Sequence, residues 1–343
     1  MAADSRAEGT RIPSDLMEPA PGTIVLRCFA WATVAATAVF LLNNYLSYWR
    51  DWPGAFAAFR DAQSVPGEAV LAWAQAAFYA LGLAVAVAYV LGSRQRALRP
   101  DSKIMYAITA YIVRAAFWAV LLIGAADAVI SFLRVEGLLE PIFGSDLATE
   151  LGRSRYRGTW VHIPLAIAGL VIAAFHRRLG FPWLALLVVI AELLIVLTRF
   201  IFSYEQAFMG DLVRFWYAAL FLFASAHTLL EEGHVRVDVV YHGLADRTKG
   251  LVNAAGVILL GMSLCWVVMT FGMGSKSAII NSPLLNFEVT QTGFGMYVKY
   301  WMAGFLAIFA VSMQIQFAGY FLDSVADYHG EPGGRDIDPE ITH

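Results

Sequence analysis

Several charged side chains lie inside long apolar stretches of this chain, and a charge in such a place is a candidate for chemistry. Arg114 and Asp127 occupy one stretch, and Glu192 and Arg199 occupy another. In membrane hydrocarbon a charge needs a partner or water, so such residues form interhelical ion pairs or ion and proton pathways. These charges are scattered instead of converging on one path. We therefore predict ion pairs, and Arg199, near the end of its stretch, can also reach the interface.

The histidines raise the alternative of haem ligation. His162 and His176 are 14 residues apart in one predicted helix, a separation that suits two haems across a bilayer. Axial ligation requires a matching pair on a second helix. His227 lies in an apolar stretch, but His234 and His242 lie in a polar loop. The sequence contains no Walker-type phosphate loop, zinc-protease signature or Gly-x-Ser-x-Gly elbow. We predict no enzyme activity and no cofactor, with a haem or quinone redox protein as one alternative.

The composition is that of a membrane protein. Apolar residues make up 59% of the chain and charged residues only 15%, and the mean hydropathy is +0.61. The formal net charge of -3 gives no basic field suited to nucleic acid, so we predict membrane lipids and no nucleic acid as partners.

The apolar stretches predict an all-α fold, a polytopic integral membrane bundle of about eight transmembrane helices. Each span needs roughly 20 apolar residues to cross the hydrocarbon. The third stretch is long enough to tilt, and the fourth is short. The predicted spans are residues 24–49, 69–91, 104–133, 159–175, 183–203, 212–230, 251–273 and 296–321.

The segments outside the spans are polar or amphipathic. Residues 1–22 are predicted to be a disordered cytoplasmic tail and residues 324–343 a polar C-terminal tail. Residues 135–157 place apolar side chains at near-helical spacing, which indicates either an interfacial helix or a helical loop packed on the spans. Residues 239–251 show a similar pattern and are predicted to lie against the inner surface.

The distribution of Lys and Arg predicts the orientation, because positive residues of short loops stay in the cytoplasm. The loops after the second, fourth and sixth spans carry most of these charges, so both termini are predicted to be cytoplasmic. Arg153, Arg155 and Arg157 oppose this assignment, but they lie in a longer loop, where charge has less weight. The residues in its favour are Arg94, Arg96, Arg99, Lys103, Arg177, Arg178, Arg236, Arg247 and Lys249.

An ordered set of short motifs in the C-terminal half carries a family resemblance. The motifs are Thr-Arg-Phe-Ile-Phe at 198–202, Asp-Leu-Val-Arg at 211–214, Ala-His-Thr-Leu at 226–229, Gly-His-Val-Arg-Val-Asp at 233–238, Asn-Ser-Pro at 281–283 and Val-Lys-Tyr at 298–300. Residues 181–323 resemble the small membrane subunit, the DctQ-type component, of tripartite ATP-independent periplasmic (TRAP) transporters, and most of all its larger members. Residues 23–180 are then an additional N-terminal region of four helices.

The resemblance implies a non-catalytic scaffold subunit in the bacterial inner membrane. Its partners would be a large TRAP membrane subunit, which it braces during sodium-coupled uptake, and a periplasmic substrate-binding protein that delivers an organic acid or similar solute. The added N-terminal region motivates an alternative, an accessory membrane subunit of another, energy-transducing complex. The residues expected to contact a partner or anchor loops are His234, Arg236, Asp238, Asp211, Arg214 and Lys299.

Overall fold

The computed structural model describes residues 22–59, 66–177, 181–230, 241, 243–290 and 295–333. These ranges contain helices and short helical turns and no strand. The helices are α1 (Thr23–Trp49), α2 (Pro66–Gly92), α3 (Leu98–Val135), α4 (Leu139–Phe143), α5 (Ser145–Leu151), α6 (Ser154–Phe175), α7 (Phe181–Phe202), α8 (Ala207–Leu230), α9 (Asp246–Gly272), α10 (Asn281–Asn286) and α11 (Lys299–His329).

Eight of the helices in the described ranges are long and apolar enough to span a membrane, namely α1, α2, α3, α6, α7, α8, α9 and α11. The prediction of an all-α polytopic bundle is therefore confirmed. We call the end of the bundle where α1 begins the Thr23 face, and the opposite end the Trp49 face.

The ends of several spans differ from the predicted ones. Helix α3 begins at Leu98 instead of residue 104, and α11 continues to His329, past the predicted end at residue 321. Both extensions are rich in polar residues that hydropathy assigns to water. Asp101 and Ser102 are nevertheless buried in the bundle, because they pair with polar groups of other helices.

The fourth span is longer than predicted. Helix α6 begins at Ser154, before the predicted start at residue 159, and a π-helical turn covers Gly158–His162. Its 22 residues are enough to cross the hydrocarbon without an interfacial portion.

The amphipathic segment at the Trp49 face is divided into short pieces. Gly144 separates α4 from α5 with a φ of 81°, a conformation that side chains other than hydrogen disfavour. Leu139 and Leu151 are buried, whereas Ile142 and Phe143 are exposed. On the other face, residues from Asp246 onward are the first turns of α9 instead of a separate interfacial helix. Most of the predicted tails, with residues 231–240 and 242, lies outside the described ranges.

The centre of the bundle is formed by α3 and α11, which run antiparallel. One apolar cluster joins these two helices to α7 and α8, and a second joins them to α1 and α9. Phe305 of α11 packs its ring against Phe215 and Phe223 of α8, at centroid distances of 5.0 and 5.1 Å. The N-terminal and C-terminal halves of the chain thus share a core.

Candidate functional site: buried ion pairs along α3

The carboxylate of Asp127 is fully buried and is the centre of a polar cluster near the Trp49 face. Arg157 Nη1 donates to its Oδ1 at 2.8 Å, and His162 Nε2 lies 3.1 Å from the same oxygen. The backbone N–H of Tyr297 donates to Oδ2 at 2.7 Å. These residues, with Tyr300, form what we call the Asp127 cluster. It joins α3 and α6 of the N-terminal half to the start of α11.

The guanidinium of Arg157 is well satisfied in this cluster. Besides its bond to Asp127, its Nε and Nη2 donate to the carbonyl of Leu151 at 3.0 and 2.8 Å. Nη1 also donates to Ser131 Oγ at 3.2 Å, and the group lies over the Tyr297 ring, 4.1 Å from its centroid. A buried charge is tolerated when a counter-charge and hydrogen bonds replace its water, and both conditions are met here.

The π-helical turn of α6 explains how Arg157 and His162 reach one carboxylate. On a regular α-helix, side chains five residues apart point about 140° away from each other. The π turn, with its i to i+5 hydrogen bonds, brings such side chains to one side. Gly158 lets the ring of Phe287 pack directly on this turn, because a Cβ at position 158 would clash with that ring.

Both ring nitrogens of His162 are occupied. Its Nε2 lies 3.1 Å from Asp127 Oδ1, and its Nδ1 lies 2.6 Å from the Tyr300 hydroxyl oxygen. The His176 ring packs 6.0 Å from the Trp118 ring. Both nitrogens of His162 are thus engaged within the protein in this arrangement.

A second polar cluster ties the other end of α3 to the end of α11. Arg99 Nη2 donates to Asp327 at 2.7 Å, and its Nη1 lies 3.7 Å from Asp323. Asp323 also accepts hydrogen bonds from Ser102 at 2.6 Å and from Tyr106 at 2.7 Å. We call this set the Arg99 cluster. Because α3 and α11 are held at both ends, sliding between them would break charged hydrogen bonds.

A third cluster, which we call the Arg27 cluster, holds α1 to the α2–α3 connection and to the first turn of α3 at the Thr23 face. Arg27 Nε donates to Asp101 at 2.7 Å, and both side chains are fully buried. Arg27 also donates to the carbonyl and hydroxyl oxygens of Ser93 at 2.6 and 2.7 Å. Trp31 Nε1 donates to Asp101 at 2.9 Å, and Arg96 lies 3.4 Å from the same carboxylate.

These clusters were only partly visible in the sequence. Asp127 forms an interhelical ion pair with Arg157 of α6, because its oxygens face α6 and the start of α11. Arg157 was interpreted as a loop charge, and Arg27 and Asp101 were not selected. A charge near the end of an apolar stretch has the same appearance in sequence whether it faces water or a buried counter-ion.

Asp211 holds the chain segment that leads into α11. It lies buried near the start of α8, where its Oδ2 accepts the backbone N–H of Met296 at 3.0 Å and the Thr290 hydroxyl at 3.4 Å. Arg214, exposed on the next turn, lies 3.5 Å from Asp211 Oδ1. This geometry fits the anchoring of a loop, whereas contact with a partner stays a prediction.

The remaining predicted site residues have other surroundings. Lys299 donates to Glu288 at 2.5 Å, and Arg199 lies 3.4 Å from Glu205 beyond the end of α7. Arg114 is half-buried, and its Nε has no hydrogen-bond partner among the described residues. Glu192 is exposed on α7. His234, Arg236 and Asp238 lie outside the described ranges.

A surface hydrogen bond at the Trp49 face gives a prediction about pH. The Tyr204 hydroxyl donates to Glu136 at 2.5 Å. Desolvation, followed by this hydrogen bond and the charge of Glu136, raises the pKa of Tyr204 from 10.0 to about 12. The pKa of Tyr204 is therefore higher in the folded protein than in the unfolded chain. The contact with Glu136 stabilises the folded protein fully below pH 10.0, and this stabilisation is lost as the pH rises to about 12.

We expect Glu136→Gln to lower the pKa of Tyr204 toward its ordinary value, since the variant removes the negative charge. The measurement is the tyrosinate absorbance against pH, taken as the difference between each protein and the same protein carrying Tyr204→Phe. An unchanged Tyr204 titration in the Gln variant would contradict the contact.

Comparison with known proteins identifies the C-terminal part of the chain. Residues 183–327 match the family model described as tripartite ATP-independent periplasmic transporters, DctQ component. The match runs from α7 almost to the end of α11, and it confirms the resemblance seen in the sequence motifs. No curated protein and no solved structure matches the chain.

Proposed function

We propose, on the premise that residues 183–327 belong to the DctQ component family of TRAP transporters, that this chain is the brace of such a transporter. As the small membrane subunit, it would hold the fixed part of the large membrane subunit in place. The large subunit would carry an organic acid or similar solute together with sodium. A periplasmic protein would deliver that solute.

The observation that carries the bracing role is the pairing of the buried charges within the chain. Arg27, Asp101, Asp127 and Arg157 are all fully buried, and each has a counter-charge on another helix or on an adjoining connection. A translocating subunit needs polar groups that converge on a path open to substrate or ions. Polar groups that are already satisfied instead favour one fixed arrangement, which is what a brace requires.

The central pair of helices gives the brace its stiffness in this proposal. Helices α3 and α11 are held near their ends by the Asp127 and Arg99 clusters and by packed apolar side chains between them. We propose that residues 23–180 are an added region that widens the DctQ-like bundle of residues 181–323 while sharing its core. We also propose that the Thr23 face is cytoplasmic, because the loops rich in Lys and Arg lie there.

A second candidate function follows from the position of α3. This helix packs directly on α8 and α11 of the matched region, so the added N-terminal half covers surfaces that a helix of another subunit would otherwise contact. A DctQ-type bundle altered in this way could serve another membrane complex, such as an energy-transducing assembly. The identity of the co-purified subunits separates the two functions.

The test is purification of the tagged full-length chain from its native membrane in a mild detergent, followed by mass spectrometry. We expect a large polytopic TRAP subunit in stoichiometric amount. The control is an unrelated polytopic membrane protein that carries the same tag and is expressed at a similar level. Recovery with redox proteins and without a large TRAP subunit would replace the proposed function with the second candidate.

A further inference from the structure

Glu192 is a carboxylate on the outward surface of a membrane-spanning helix. It lies near the middle of α7, a helix of 22 residues. The side chains around it are apolar and exposed: Val189 is 60% exposed, Leu193 53% and Val196 47%. Leu184 and Ala191, which are buried against the core, project from α7 about a quarter of a turn away from Glu192.

No group in the described part of the chain compensates this charge. Glu192 has no hydrogen bond and no ion pair with any described residue. The next charge along the same side of α7 is Arg199, which lies about 10 Å further along the axis. Arg199 itself pairs with Glu205 at the helix end. Glu192 therefore faces whatever surrounds the subunit.

Lipid is an unfavourable neighbour for this side chain. A carboxylate at the bilayer centre is costly, and such residues almost always face the interior of a helix bundle, a charged or polar partner, or water. Helix α7 also has the least covered surface of the eight candidate spans in the described ranges. Within the 18 most apolar consecutive residues of each helix, only 11% are buried in α7, against 61% in α11.

The outward surface of α9 is different, because it presents apolar side chains. Leu259, Leu260 and Phe271 are 70%, 74% and 79% exposed, as expected for a surface that meets lipid. A lipid-facing helix has no need of a carboxylate at mid-depth. The difference between the two surfaces singles out α7 as the one that is incomplete without a partner.

We infer that the outward surface of α7, which includes Glu192, Val189 and Val196, docks on a transmembrane helix of the large TRAP subunit. That helix presents a cationic or hydrogen-bond-donating side chain at the depth of Glu192. The inference rests on the proposed function for the identity of the partner. The apolar residues around Glu192 supply the packing surface, and the carboxylate sets the register and orientation of the two helices.

Substitution of Glu192 separates a docking surface from a lipid-facing one. In the complex purified from native membrane, we expect Glu192→Leu to reduce the retained large subunit at least tenfold, and Glu192→Gln to reduce it less. The isolated Leu variant should unfold at the same temperature as the wild-type chain or a higher one, since it loses an unpaired carboxylate. The matched control is Leu260→Ala, which changes the surface of α9 and should leave the retained amount unchanged.

Site-specific photo-crosslinking identifies the neighbour directly. A photoreactive residue replaces Val189 or Val196 on α7, or Leu259 on α9 as the control. We expect the two α7 positions to cross-link to the large TRAP subunit and the α9 position to cross-link only to lipid. If α7 cross-links only to lipid while the large subunit still co-purifies, the inference fails and the proposed function stands. If the wild-type complex contains no large TRAP subunit, both fail.

Discussion

Replacing Arg157 with methionine is expected to lower the free energy of unfolding by about 3 to 5 kcal/mol, the usual cost of removing one partner from a buried ion pair. Methionine keeps most of the side-chain volume, so the loss comes mainly from electrostatics. Asp127 would keep its contacts to His162 and to the backbone of Tyr297, but it would lose its permanent counter-charge. The measurement is thermal and denaturant unfolding of the purified chain in detergent.

A double-mutant cycle tests whether the loss belongs to the ion pair. The Asp127→Asn substitution neutralises the other partner, and the variant with both substitutions should be more stable than the sum of the single losses predicts. We expect a coupling energy of up to about 3 kcal/mol, the range found for residues in contact. Additive losses would show that Arg157 acts through packing, for instance on the Tyr297 ring.

An exposed ion pair provides the control for this experiment. Lys276 contacts Asp51 at the Trp49 face, with both side chains more than half exposed. We expect Lys276→Met to change the free energy of unfolding by less than about 1 kcal/mol, because water screens and replaces such contacts.

Replacing Arg27 with methionine is expected to cost about 3 kcal/mol, somewhat less than the Arg157 substitution. Asp101 would remain fully buried without its nearest counter-charge. The smaller loss is expected because Trp31 still donates to the carboxylate at 2.9 Å and Arg96 lies 3.4 Å away. Denaturant unfolding of the full chain in detergent gives the value.

The region of the fold that loses stability distinguishes the Arg27 variant from the Arg157 variant. Arg27 connects α1 to the α2–α3 connection, so its loss should increase hydrogen exchange of α1 before that of α11. The matched control is Arg94→Met, a substitution on the same connection at a residue that has no hydrogen bond or ion pair with any described residue. Equal exchange in α1 and α11 of the Arg27 variant would argue against a local attachment of α1.

Most of the architecture could be predicted from the sequence because burial in lipid depends on composition. Long apolar stretches predict eight spans, and the structure has eight candidate spans in its described ranges. The motifs from Thr198 to Tyr300 were sufficient to identify the DctQ resemblance, which the match over residues 183–327 confirms. Both kinds of signal are local, since each is carried by residues that are close together in the chain.

The partners of the buried charges could not be predicted, because tertiary packing decides them. Arg157 and His162 reach Asp127 only through a π-helical turn, which the regular period of an α-helix does not reveal. The sequence determined by itself that this chain is a bundle of membrane helices with a DctQ-like C-terminal part. Only the tertiary structure decided that Asp127 is satisfied inside the bundle and that no described residue pairs with Glu192. The physical reason is that a charge in hydrocarbon must be compensated by groups distant in the chain, and their positions depend on how the helices pack.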